Sequence, residues 1–143
     1  SMKEVDNPWV IENVVPHLQD IPVIEEVGVE IPYTHKPLLK AFAEYYNKLR
    51  EQYDVRVLWH MGHVVEAHLF RQLVNLGYIG EWDAPYVPIE VASLLEAYGY
   101  QPDSVDKYVA EKGIEINING STHHPLYDCE VAYQVYKDLI KNH

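Results

Sequence analysis

At 143 residues, 48% of them hydrophobic, the chain has the size of one ordinary domain and can bury a core without disulfide or metal staples. Its 22 acidic against 11 basic residues give a formal net charge of −11, which argues against broad phosphate-driven adhesion to nucleic acid. Most of that charge reads as a solvated surface, although a carboxylate site that recruits divalent cations is also negative by design. The single cysteine, Cys129, excludes an intrachain disulfide, and no apolar run approaches the roughly 18 residues of a membrane span. The opening SMKEVDNPWV has no apolar segment of the signal-peptide kind, so a cytoplasmic protein without membrane contact is expected.

Asn7-Pro8 followed by WVIENVVPHL predicts a helix that Pro16 limits to about two turns. Residues 21–32, IPVIEEVGVEIP, alternate apolar and polar positions between prolines and predict an extended segment. From Thr34 to Gln52 the spacing of Leu38, Leu39, Phe42, Tyr45, Tyr46 and Leu49 predicts an amphipathic helix. Val55 to His60 is a β-rich run, and Gly62 opens a helical stretch that stops at Gly77. A loop with Trp82, Pro85 and Pro88 leads to a helix closed by Gly99. The next helix is capped by Asp103 or Ser104 and ended by Gly113. Glu115 to Ile118 reads as a two- or three-residue strand, and a final helix runs from about Leu126 to Lys141. The pattern is mixed α/β: about five helices around a small sheet that includes residues 55–60.

The densest chemical signal is Ser121-Thr122-His123-His124-Pro125-Leu126-Tyr127-Asp128-Cys129, a polar loop with two histidines entering a helix that carries an acid in its first turn. Such an acid sits near the helix N-terminus with its oxygens available to a cation, and a loop histidine shortly before it reaches the same space. This suits metal-assisted hydrolysis, with His123 as general base and Asp128 on Mg²⁺ or Mn²⁺. The same residue types also occur simply as caps and solvated side chains.

His123 and Asp128, followed by the small Cys129 and an amphipathic helix, resemble the third motif of the histidine-bearing DEDD family of 3′-5′ exonucleases. VRVLWHMGHVVEAHLFRQL is similar to that family's second motif, a strand and polar-Gly turn before a helix with an acid near its start. Glu66 stands there where the family keeps aspartate, and a register shifted by one would place Val65 at the position. PWVIENVVPHL resembles a segment of a bacterial and phage exoribonuclease branch. The resemblance, over about residues 8 to 141, implies a single RNase H-like domain with a reduced sheet, cleaving phosphodiesters at the 3′ ends of single-stranded RNA or DNA. It assigns His123 as base and Asp128 with Glu66 as ligands of Mg²⁺ or Mn²⁺. The family's first motif, D-x-E on an opening strand, has no counterpart before Trp9, so the opening strands are expected to be truncated, lost or supplied by another chain. The exposed sheet edge left behind then predicts a homodimer paired through it. The alternative is a degenerate RNase H-like domain that binds nucleic acid or protein and does no chemistry.

Trp59, at the strand end, is the best-placed of the chain's aromatic residues for base stacking, and His60 and His124 are candidates to line the cleft. Each reads equally as a core or satisfied side chain. His63 and His68, five apart, lie on different faces of a helix and make a poor two-histidine metal site. Cys129 has no basic partner arranged for nucleophilic work and reads as a packing residue.

Overall fold

The computed structural model describes residues 35–143 except Ser121, with the helical positions Pro8 and Glu12 besides. The rest of the expected first helix and the extended segment 21–32 lie outside the described residues. The described chain is mostly helical with a small parallel sheet. Its elements are α1 (His35–Gln52), β1 (Leu58–Trp59), α2 (Glu66–Asn75), β2 (Ile89–Glu90), α3 (Val91–Ala97), α4 (Val105–Lys112) and α5 (Pro125–Asn142), with a 3₁₀ turn at Glu81–Asp83. Among the described residues no helix is long and apolar enough to cross a membrane.

Residues 55–60 are shorter as a strand than their β-rich composition predicts, and the partner explains why. Leu58 pairs with Ile89 and Trp59 with Glu90 in parallel register. On the partner side Pro88 has no N–H for the ladder, and α3 begins at Val91, directly after Glu90. The Ile89 N–H also donates to the Val57 carbonyl at 2.8 Å. Glu115 to Ile118, expected as a strand, is loop. The alternation there comes from packing: Ile114 and Ile116 both rest against the core built by α3, α4 and α5.

Successive strand residues point to opposite faces, so the two residues of β1 serve two different cores. Leu58 packs on the cluster of Val91, Leu95, Tyr108, Val131, Val135 and Leu139, drawn from α3, α4 and α5. Trp59 belongs to the cluster of Ala43, Tyr46, Phe70, Leu73 and Ile79, built from α1, α2 and the turn after α2. Tyr46 and Phe70 meet edge-on, ring centroids 5.2 Å apart. Polar bonds fix the outer helices onto this frame. The Tyr46 hydroxyl donates to the Asp83 carbonyl at 2.7 Å, and Arg50 pairs with the Asp83 carboxylate at 2.9 Å. Across the other core the Tyr108 hydroxyl donates to the Asp138 carboxylate at 2.8 Å. Burial and that carboxylate push the Tyr108 phenol well above its ordinary pKa, so it stays a donor.

Helix ends follow local chemistry. Ser104, rather than Asp103, caps α4 by accepting from the Lys107 N–H, and Gly113 closes it in the left-handed conformation at φ 64°. The helical stretch after Gly62 begins at Glu66 instead of His63, because residues 62–65 form turns in which the Ala67 N–H reaches back to the Gly62 carbonyl at 2.9 Å. Gly62 lies against the face of Trp59, where a Cβ would overlap the indole ring. Gly62→Ala is therefore expected to destabilise the fold by about 1–3 kcal/mol, the usual cost of overpacking. Urea unfolding followed by tryptophan fluorescence checks it, with a lowered midpoint and an unchanged slope as the expected outcome.

Candidate functional site

The turn that leaves β1 is held by one carboxylate. Met61 takes the left-handed conformation at φ 56°, unfavourable for a side chain with a Cβ, and needs outside support. Glu90, the last residue of β2, provides it. Its Oε1 accepts from the Met61 N–H at 2.8 Å and its Oε2 from the Gly62 N–H at 3.2 Å. Oε1 also accepts from the Ala92 N–H at 3.1 Å, capping α3. Glu90 thus joins β2, the post-β1 turn and the start of α3, and sets where α2 begins with Glu66 in its first turn. Sequence reading passed over this residue, although a polar side chain just ahead of the apolar run VASLLEA is the pattern of an N-cap.

The second half of the site is the entry to α5, which packs against β1. His123 is left-handed at φ 75°, His124 is the extended N-cap residue and Pro125 takes the first helical position. The His123 N–H donates to Asp128 Oδ1 at 3.1 Å, while the Asp128 N–H donates to the His124 carbonyl at 2.9 Å. The first turn of α5 therefore folds back on the loop and holds the Asp128 carboxylate beside the His123 backbone. Although Asp128 is exposed overall, partial desolvation of its carboxyl raises its pKa. The His123 N–H and the two histidines oppose the shift, and Asp106 adds to it. His124 is buried, at 7% exposure, with its Nδ1 lacking a hydrogen-bond partner.

Glu66 is tied to the same neighbourhood through Cys129. Although Cys129 is exposed overall, partial desolvation pushes its thiol up, and the Asp128 and then Glu66 carboxylates push it further. A raised thiol pKa disfavours the thiolate. The implied divalent ion does not find a complete site: among the described residues no three His, Cys, Asp or Glu side chains group closely enough to hold a metal ion. That statement also covers His63, Glu66 and His68; His68 instead shares a hydrogen bond with Gln72 at 3.0 Å.

Two of the positions expected to contact nucleic acid make contacts within the protein. Trp59 is 9% exposed and packs within the α1–α2 core, with Gly62 on its ring face. His60 Nε2–H donates to the Pro102 carbonyl at 2.8 Å, which fixes its tautomer and ties the β1 end to the loop before α4.

Comparison of the chain with protein-family models, with curated proteins and with solved structures finds no match.

Glu90→Ala should cost about 1–3 kcal/mol, because three backbone N–H groups lose their acceptor at once. Amide hydrogen exchange should show protection lost at Met61, Gly62 and Ala92. Glu90→Gln, with one acceptor oxygen and an amide group facing N–H donors, is expected to fall between the two. At Asp128 the raised pKa means that the folded state favours the protonated acid. The associated stability is present below the unfolded carboxyl's pKa and is lost as pH rises through the folded value. Asp128→Asn should accordingly raise the thermal midpoint at pH 7, an advantage that disappears on acidification below the ordinary carboxylate range. Thermal unfolding from pH 7 to pH 3 measures it.

Proposed function

We propose that His123, Asp128 and Glu66 are the part of a 3′-5′ exonuclease site that this chain supplies, within an RNase H-like domain acting on the 3′ ends of single-stranded RNA or DNA. The observation that carries this reading is the bond from the His123 N–H to Asp128 Oδ1 at the entry of a helix packed on β1. It holds the two motif residues together in a polar turn. The parallel β1–α2–β2 unit is compatible with the central part of an RNase H-like sheet, and the shared effect of Glu66 and Asp128 on Cys129 supports their belonging to one acidic surface.

In this reading the His123 imidazole takes the proton of a water whose oxygen forms the new P–O bond. The bond from phosphorus to the 3′ oxygen breaks, the departing oxygen takes a proton from solvent to leave a hydroxyl on the shortened strand, and the released nucleotide keeps the phosphate. Asp128 and Glu66 are at most two of the carboxylates a divalent-ion site of this class requires, so further acids must come from residues outside the described ones.

The test is incubation of a 5′-labelled single-stranded RNA with Mg²⁺ or Mn²⁺. The chain as it stands is expected to bind either ion no tighter than about millimolar and to shorten the RNA little or not at all. A form extended by a strand bearing a D-x-E pair is expected to produce a ladder shortening from the 3′ end. In that form His123→Ala should cost about 10²–10⁴-fold in rate, and Asp128→Ala at least as much. A 3′ ladder from the present chain would show that other acids, such as Glu25 or Glu26, complete the site. An inactive extended form would turn the reading to a binding module without chemistry.

A further inference from the structure

We propose that two copies of this chain associate through the surface at the amino ends of β1 and β2 and the adjoining flank of α2, a reading independent of the exonuclease one. Residues 53–57 lead into β1 and residues 82–88 into β2. Between them lies a hollow of about 400 Å³, and a second of about 360 Å³ adjoins it across Ala84, Pro85 and Tyr86.

The apolar part is large and exposed: Trp82 at 80%, Val87 at 74%, Tyr53 at 65% and Tyr86 at 60%. Trp82 and Tyr86 are already stacked, ring centroids 5.4 Å apart, and the Tyr86 hydroxyl donates to the Glu81 carbonyl at 2.9 Å. A preordered aromatic pair loses little freedom when covered. Tryptophan, tyrosine and arginine are the residue types that concentrate binding energy at protein interfaces.

Charge identifies the occupant. The sequence contains three arginines, and all of them, Arg50, Arg56 and Arg71, line these two hollows, as do Asp54, Glu81 and Asp83. The rest of the chain carries 8 basic against 19 acidic residues. Two copies therefore repel over the remainder of their surfaces and meet without net repulsion here. An isologous contact presents the arginines of each copy to the carboxylates of the other. Arg50 is paired internally with Asp83, but Arg56 stands 3.9 Å from Asp54, at the outer limit of an ion pair, and Arg71 forms no ion pair among the described residues. The same balance disfavours a polyanion, since three carboxylates cancel the three guanidinium groups and the whole chain is at −11.

Sedimentation velocity over a concentration series tests this on the full chain. The 16.6 kDa chain is expected to double in mass by about 100 µM, a modest affinity. Trp82→Ala/Tyr86→Ala should remain monomeric with an unchanged circular dichroism spectrum. Arg71→Glu, on α2 and away from both aromatic rings in sequence, should weaken association at least about tenfold by upsetting the charge balance. It keeps the test decisive if the aromatic double variant fails to fold. A chain that stays monomeric at about 100 µM, or a dimer indifferent to both variants, overturns the proposal. A monomer that binds single-stranded RNA and loses it in Trp82→Ala/Tyr86→Ala overturns it in favour of a nucleic-acid surface.

Discussion

Two residues carry the architecture. Leu58 and Trp59 make the whole of β1, and because their side chains leave on opposite faces, one is packed by α3, α4 and α5 and the other by α1 and α2. A ladder of two residues contributes few hydrogen bonds, so the sheet holds its register through what it buries rather than through pairing. A shift by one residue would exchange Leu58 and Trp59 between cores of different size. The indole would meet a cluster built of Val and Leu, and the leucine would leave a void beside Phe70 and Tyr46.

Glu90 follows from the same constraint. It ends β2, so it stands level with the chain emerging from β1, and there it accepts three backbone N–H groups. An acid this committed to structure is unavailable to a cation. That separates it from Glu66 and Asp128, which lie in first turns of α2 and α5. Carboxylates in one small region thus divide by how many donors they already satisfy, and the division is physical rather than positional.

The charge of the molecule is likewise distributed with structure. An excess of acids keeps most of the surface mutually repulsive between copies, whereas the three arginines line two adjoining hollows beside exposed aromatic rings. At the α5 entry the partly desolvated Asp128 resists ionisation, with Asp106 adding to the effect.

What the sequence determined by itself is everything set by local periodicity and caps. The long helix ending at Gln52, the helix closed by Gly113 and the final helix with Asp128 in its first turn stand where three- and four-residue spacing and end residues put them, because those signals act within a few turns of chain. The nearness of His123 to Asp128 was legible for the same reason: five residues of loop and helix entry span it. Strand length was not, since it depends on a partner some thirty residues away that Pro88 and the start of α3 cut short. Nor were the roles of Trp59 and His60, because a tryptophan at a strand end reads alike whether a base or a core covers it. The packing of Trp59 against α1 and α2 and the bond of His60 to the Pro102 carbonyl come only with the tertiary structure. The gathering of Arg50, Arg56 and Arg71 belongs to tertiary structure too, since residues on α1, before β1 and on α2 share a surface only after the two cores have closed on β1.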